Sequence, residues 1–156
     1  MAAGTSINKG LVHWGYIADC GVAIFDEKGN MRFKTEDDGP SKHDALMWKD
    51  PRLQSLKWEN PIARMIIRRD YRNNSGKQCA YGVLTGEDSS LYFVRTGVQE
   101  LRPRESLIVY TDGLEHLLGM GEFSDLLRKR DLKGISKLTS KTVKYEGTMI
   151  YQSQSE

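Results

Sequence analysis

The sequence predicts an antiparallel α+β fold, because strand-like segments dominate the first two thirds of the chain and helix-like segments the last third. Apolar and aromatic runs bounded by turns rich in Gly, Asp and Asn indicate the strands. Apolar residues that recur every three to four positions indicate the helices. This order argues against alternating β-α-β units, and the length of 156 residues predicts a single domain over 1–156.

The first part of the chain predicts strands. Leu11–Ala18 and Gly21–Phe25 are rich in apolar and aromatic residues. Asp26–Asn30 has the composition of a hairpin turn, and Met31–Thr35 then alternates apolar and polar residues with a period of two. One face of that last strand is therefore expected to be buried.

The middle of the chain predicts two helices and a hairpin. A capping-box pattern opens a short helix over Ser41–Trp48, and an apolar stripe predicts another over Pro61–Arg69. Ala80–Leu84 and Leu91–Val94 have strand composition, with turn residues in Gly86–Ser89 between them. These two strands are expected to pair antiparallel.

The last third predicts a buried strand, three helices and a closing strand. The apolar run Leu107–Tyr110 is the strand, and Thr148–Tyr151 is the strand that closes the fold. Between them, periodic apolar residues predict helices over Leu114–Leu118, Phe123–Arg130 and Leu132–Thr142.

Composition narrows the classes of partner. Lys and Arg number 23 against 21 Asp and Glu, a near balance that does not favour a nucleic-acid partner. No apolar run approaches the ~20 residues of a membrane span, and the first residues lack a secretion signal, so a soluble cytoplasmic protein without a membrane partner is expected. Cys20 and Cys79 are predicted to be buried reduced thiols, with a disulfide between them as the alternative. Nothing in the sequence indicates an oligomeric state.

The segment Thr111-Asp112-Gly113 is the most informative for chemistry. The apolar strand before it fixes the backbone, and the glycine permits a sharp exit toward the following helix. A carboxylate presented in this way suits a hard cation. The alternative is that Asp112 caps the next helix, a common role for aspartate.

Two further acids are candidates for the same cation site. Asp19 follows one predicted strand, Asp112 follows another, and Glu146 precedes the last. If these strand ends meet at one edge of the sheet, the three carboxylates would supply oxygen ligands for Mg²⁺ or Mn²⁺. The alternative is that all three are solvated turn residues.

Arginines are the best candidates for binding phosphate. Arg68, Arg69 and Arg72 are close in sequence, and a guanidinium group can hold two phosphate oxygens at once. The alternative is a solvated helix face. The histidines His13, His43 and His116 are widely separated, which argues against a catalytic triad or a zinc site.

Four blocks of sequence resemble, in order, the metal-dependent (PPM, 2C-type) serine/threonine protein phosphatases. In that family a strand ending in Gly-Asp leads through a hairpin to a Leu-Thr-x-Asp-His stretch, another strand ends in Ser-Asp-Gly, and a Thr-x-Ile follows a terminal Asp-Asn pair. The corresponding segments here are Gly15–Asp26 with Gly29 and Thr35–Asp38, then Tyr81–Glu87, then Leu101–Pro103 with Leu107–Leu114, and finally Thr148–Ile150.

The resemblance implies an antiparallel β-sandwich flanked by helices, with a two-metal centre of Mg²⁺ or Mn²⁺ at one end. Such a centre activates a water that hydrolyses phosphoserine or phosphothreonine in a phosphoprotein substrate, without a covalent intermediate. By the same resemblance, Asp112 would be a ligand of one core metal. Asp19 would help to hold an additional, weaker metal, and Gly113 would permit the turn.

The departures from the family pattern bear on activity. The resemblance covers nearly all of this chain but only the later, C-terminal half of the family's domain. Tyr145-Glu146 stands in place of the Asp-Asn pair, and Ala18 replaces the glycine before Asp19. The chain is therefore expected to be part of a longer phosphatase, a divergent relative, or a scaffold that has lost catalysis. A metal-dependent phosphatase, incomplete in this chain alone, is favoured; a catalytically silent interaction or regulatory module is the alternative.

Overall fold

The computed structural model describes residues 2–142 and 147–153 of the chain. It confirms the α+β class, with two antiparallel sheets and helices. The described residues form seven strands: β1 Ala2–Asn8, β2 Leu11–Ile17, β3 Gly21–Phe25, β4 Met31–Lys34, β5 Arg95–Glu100, β6 Ser106–Tyr110 and β7 Met149–Ser153.

Five α-helices and two short 3₁₀ segments accompany the strands in the described part of the chain. The α-helices are α1 Pro40–Met47, α2 Pro61–Asp70, α3 Asp112–Glu115, α4 Gly121–Arg128 and α5 Leu132–Thr142. The 3₁₀ segments are Asp88–Phe93 and His116–Gly119. Helix α2 begins with Pro61 at its first turn, after Asn60 caps the free amide of Ile62 at 2.8 Å.

The four-stranded sheet carries strands in the order β4-β3-β6-β7, and the three-stranded sheet in the order β1-β2-β5. Strand β3 pairs antiparallel with β6, which places Gly21 opposite Tyr110. Strand β6 pairs antiparallel with β7, which places Tyr110 opposite Met149. Both β3 and β6 are buried at all five positions, so they form the centre of the sheet.

The two faces of this sheet are both covered, since side chains alternate between faces along a strand. One face packs on the helices of the last third through an apolar cluster that includes Ala23, Phe25, Ile108, Leu114, Leu117, Phe123, Leu127, Ile135 and Leu138. The other face packs on the three-stranded sheet through Val12, Val22, Ile24, Leu101, Leu107 and Val109, with Trp14 and Phe33 at its margin. The predicted sandwich flanked by helices is therefore present.

The described residues divide into two compact units. The larger contains Ala2–Tyr16, Cys20–Glu36 and the described residues from Thr96 onward, and it holds both apolar clusters above. The smaller contains Ile17–Asp19 and Asp37–Arg95. Its own core consists of Met47, Leu53, Ala63, Ile66, Ile67, Tyr71, Cys79 and Tyr81. The single domain over 1–156 stays a prediction.

The predicted hairpin of Ala80–Leu84 with Leu91–Val94 is wrong. Tyr81 makes one isolated bridge with Arg72, and the second segment is largely a 3₁₀ helix. Leu91 and Tyr92 are 67% and 72% exposed, so their apolar character reflects no buried strand face. In the second segment, backbone hydrogen bonds between residues three positions apart form in place of the hydrogen bonds between paired strands.

Cys20 and Cys79 are buried and neither forms a disulfide, as predicted. Every helix within the described ranges is too short or too polar to cross a membrane.

Candidate functional site

Asp112 lies where the chain leaves the four-stranded sheet. The five buried residues of β6 hold the backbone that leads to it. Thr111 extends the pairing: its amide donates to the carbonyl oxygen of Thr148 at 3.2 Å, and its hydroxyl accepts from the Thr148 amide at 3.0 Å. Asp112 then opens α3. Its carboxylate is therefore attached to a backbone that the sheet fixes.

The Asp112 side chain does not act as the helix cap. Thr111 occupies the cap position of α3, and Asp112 is the first helical residue. Its side chain is exposed and makes no hydrogen bond or ion pair within the described residues. A carboxylate in the first turn also interacts favourably with the helix dipole, but α3 has only four residues and its dipole is correspondingly weak. The carboxylate oxygens remain available to a ligand.

Several other carboxylates are already engaged by protein groups. Asp50 accepts from Arg52 and Tyr71, Asp70 from Arg52 and Arg69, Glu105 from Arg32, Asp38 from Arg95, and Asp26 from its own turn. Each of these groups has a structural partner that Asp112 lacks among the described residues.

Asp19 follows a residue with unusual backbone geometry. Ala18 has a φ of +67°, in the left-handed region that costs a residue with a Cβ about 1–2 kcal/mol. The glycine that the resemblance places here would avoid that cost. Asp19 itself is half-buried, and a Cβ on Gly39 would lie 2.8 Å from its Cβ, so the chain at Gly39 approaches Asp19 closely. The amide of Asp38 donates to the carbonyl oxygen of Ala18 at 3.3 Å.

Three strand ends next to the predicted ligands meet at one edge of the four-stranded sheet. Gly21, Tyr110 and Met149 lie side by side there in β3, β6 and β7. Asp19 belongs to the smaller unit, whereas Asp112 belongs to the larger one. Tyr145 and Glu146 lie outside the described residues. The convergence of Asp19, Asp112 and Glu146 at a metal therefore stays a prediction.

The described acids have the oxygen donors that a hard metal prefers, but too few of them are grouped to form a complete metal site. Carboxylate oxygens are the donors that Mg²⁺ and Mn²⁺ prefer, which suits Asp112 and Asp19. However, residues 2–142 and 147–153 contain no group of three His, Cys, Asp or Glu side chains arranged to hold a metal. Because Mg²⁺ keeps several waters and is often held by one or two carboxylates, a single exposed carboxylate such as that of Asp112 could hold the ion only weakly.

The predicted phosphate-binding arginines line one open groove on α2, with a volume of about 540 Å³. Arg69 holds Asp70 through two bonds of 2.6 and 3.1 Å. Arg72 is 3.6 Å from Glu87, and its Nε is buried without a hydrogen-bond partner among the described residues. Arg68 is exposed. The three arginines therefore share a surface, but their existing contacts differ.

Sequence reasoning missed two residues near these positions. Arg64 lines the same groove as Arg68, and their spacing of four residues along one helix was the available signal. His43 was given no partner in the sequence analysis; its Nε2 lies 3.8 Å from the carboxylate of Asp38, which Arg95 also holds at 2.7 Å. No sequence spacing indicated that contact.

No protein-family model matches the sequence, and a search of curated proteins finds no significant match. Solved structures do match. A serine/threonine phosphatase of S. agalactiae matches with a TM-score of 0.60 and 14% identity, over 97% of this chain and 57% of that one. PppA, a regulatory component of T6SS in Pseudomonas aeruginosa, matches with a TM-score of 0.54 and 12% identity, over 94% of this chain and 54% of that one. The serine/threonine phosphatase PstP/Ppp of Mycobacterium tuberculosis matches with a TM-score of 0.52 and 12% identity, over 97% of this chain and 58% of that one.

At these identities the matches establish the fold alone. The matched regions include nearly all of this chain. They include only between half and three fifths of the length of each solved structure. The chain therefore has the fold of roughly half of a 2C-type serine/threonine protein phosphatase domain.

Proposed function

We propose that the protein takes part in the metal-dependent hydrolysis of phosphoserine or phosphothreonine in proteins, and that this chain supplies part of the metal centre. Asp112 and Asp19 would be Mg²⁺ or Mn²⁺ ligands, and Glu146 would join them. The remaining ligands would come from residues beyond those described. The phosphatase fold of the chain supports this proposal.

The observation that carries the proposal is the state of the Asp112 carboxylate. It is exposed, it has no partner within the described residues, and it follows a strand that is buried along its whole length. A metal ligand needs both a free pair of oxygens and a fixed position, because coordination tolerates little displacement. Asp112 offers free oxygens on a backbone that the buried strand holds in place, and this supports the proposal.

Arg68, Arg69 and Arg72 are proposed to bind phosphate. Of the three, Arg68 is the most available, because Arg69 is held by Asp70 and Arg72 lies beside Glu87. A guanidinium group without a carboxylate partner does not have to give up an existing ion pair when it binds a phosphate.

A catalytically silent module on the same fold is the second candidate. It is favoured by one observation: the described residues contain no group of three potential ligands for a metal. Such a module would recognise phosphoproteins or regulate an enzyme without hydrolysing phosphate.

Hydrolysis of a phosphothreonine peptide with Mn²⁺ separates the two candidates. We expect little or no activity from the 156 residues alone, and activity from the protein expressed in its full native reading frame. Asp112→Asn should lower that activity at least about 100-fold, since losing even the partners of metal ligands costs up to that much. Asp125→Asn, at an exposed aspartate of α4, is the matched control and should leave the rate unchanged.

Two results would count against the enzyme. Full-length protein that is folded but inactive would favour the silent module. Equal activity in the Asp112→Asn and Asp125→Asn variants would remove Asp112 from the site.

A further inference from the structure

The exposed face of α2 carries an unusual concentration of positive charge. The groove on this face is lined by Pro61, Arg64, Met65, Arg68, Arg69 and Arg72. Four of these six residues are arginines, and none is acidic. The chain as a whole is nearly balanced in charge, so this groove departs from the rest of the sequence.

The acids that border the groove neutralise only part of this charge. Asp70 is shared between Arg69 and Arg52, and Glu87 is 3.6 Å from Arg72, which is too long for a hydrogen bond. Arg64 donates to the carbonyl oxygen of Glu59, a contact that leaves its charge uncompensated.

Two groups in the groove lack a partner among the described residues. Arg68 makes no hydrogen bond or ion pair there, and the Nε of Arg72 is buried without an acceptor. The Nε of Arg72 is closed off from solvent, so the group that an incoming anion can reach is the uncompensated guanidinium of Arg68. Arg68 therefore favours an anionic ligand.

We propose that this groove binds an extended protein segment that carries two phosphorylated residues at alternate positions. Arg64 and Arg68 are four residues apart, which separates them by about 6 Å along the helix axis. Side chains two residues apart in an extended peptide point the same way and are about 6.6 Å apart. Two phosphates in that arrangement match the two arginines.

The groove suits a peptide better than a nucleic acid. Met65 and the neighbouring Ile62 are 55% and 56% exposed, and they offer apolar contact to peptide side chains that flank the two phosphorylated residues on the same face of the peptide. Among the described residues no aromatic side chain lines the groove, so they provide no platform on which a base could stack.

The inference rests on the proposed function only for the origin of the peptide, which would be a phosphoprotein substrate. Peptide binding needs no metal and no catalysis. It can therefore be measured in EDTA, where failure of the docking proposal is distinct from failure of the phosphatase proposal.

The test uses a fluorescent peptide with two phosphothreonines at alternate positions and follows its anisotropy on titration with the protein. The unphosphorylated peptide should bind at least about tenfold more weakly. Arg64→Gln and Arg68→Gln should each weaken binding about threefold to fivefold, as expected for single exposed charge pairs. Arg68→Lys keeps the charge and should recover part of the affinity.

The matched control is Arg128→Gln, at an exposed arginine on α4, which should leave the affinity unchanged. Circular dichroism establishes that each variant is folded. The proposal is overturned if Arg68→Gln binds as tightly as the original protein, or if Arg128→Gln loses as much affinity. A single-stranded oligonucleotide of the same charge that bound as tightly as the diphosphorylated peptide would also overturn it.

Discussion

Single side chains in the smaller unit show how its charged groups stabilise the fold. Arg52 donates to Asp50 and to Asp70, each at 2.6 Å, and Tyr71 donates to Asp50 at 2.7 Å. The hydrogen bonds from Arg52 hold the pKa of Asp50 well below its usual range, and those from Arg69 do the same to the pKa of Asp70. Burial, followed by the bond to Asp50, raises the pKa of Tyr71 to about 12.

Asp50→Asn should therefore destabilise the protein more at pH 7 than at pH 3. The pKa of Asp50 is lower in the folded protein than in the unfolded chain, so its ionised form stabilises the fold above the ordinary value of 3.8. That contribution disappears as the pH falls toward the folded value. Urea unfolding at the two pH values measures the difference in the free energy of unfolding. The same destabilisation at both would show that the charge of Asp50 is unimportant.

A matched control for this effect is Asp125→Asn. Asp125 accepts one long bond, of 3.3 Å, from Arg128 on the surface of α4. Exposed pairs of this kind contribute about 0–1 kcal/mol, so the variant should differ little from the original protein at either pH.

The turn between β3 and β4 also lets helix α4 approach the sheet closely. Asp26 accepts hydrogen bonds from the amides of Lys28 and Asn30, both at 2.8 Å. Gly29 has a φ of +83°, and a Cβ there would collide with the carbonyl oxygen of Ser124 in α4. The glycine thus permits both the turn and the close approach of the helix.

Gly29→Ala should lower the free energy of unfolding by about 2–4 kcal/mol, combining left-handed strain with the collision. Gly86 provides the control, because its φ is +81° and nothing lies within 4 Å of the position of a Cβ. Gly86→Ala should cost only the strain, about 1 kcal/mol. Equal losses in chemical denaturation would mean that the contact with Ser124 contributes nothing.

Sequence patterns predicted the elements that bury apolar residues and missed the ones that do not. Strand β3 and helix α5 were predicted with their observed bounds, and β6 to within one residue. Strands β1 and β5 were missed because they lie at the edges of the three-stranded sheet and alternate between exposed and half-buried positions. Their sequences contain little apolar periodicity to detect.

The sequence also predicted part of the candidate site, namely the residue at the strand end, but not the contacts between distant segments. An apolar run before Asp-Gly was enough to expect Asp112 at a strand end, and the strand is there. The left-handed backbone at Ala18 and the contact of His43 with Asp38 depend on packing between distant segments, which single-residue patterns do not encode. Arg64 was missed although its helical spacing was visible.

Across the whole molecule, each compact unit has its own core. The sequence predicts one domain, and cooperative unfolding tests that prediction. Trp14 reports on the larger unit and Trp48 on the smaller one. With the third tryptophan, Trp58, replaced by Phe, variants that keep only Trp14 or only Trp48 should give denaturation curves that coincide.

Leu53→Ala sharpens this test. Leu53 is fully buried in the core of the smaller unit, so truncation should cost about 2–5 kcal/mol. In a single cooperative domain both tryptophan signals shift by the same amount. A shift seen by Trp48 alone would divide the chain into two domains.

Mn²⁺ binding to the 156-residue chain tests most directly the proposal that Asp112 is a metal ligand. Calorimetric titration should detect weak, saturable binding that Asp112→Asn abolishes, that Asp19→Asn reduces, and that Asp125→Asn leaves intact. If Asp112→Asn bound Mn²⁺ as well as the original chain, or if the chain bound none, Asp112 would not be the ligand that its position and exposure predict.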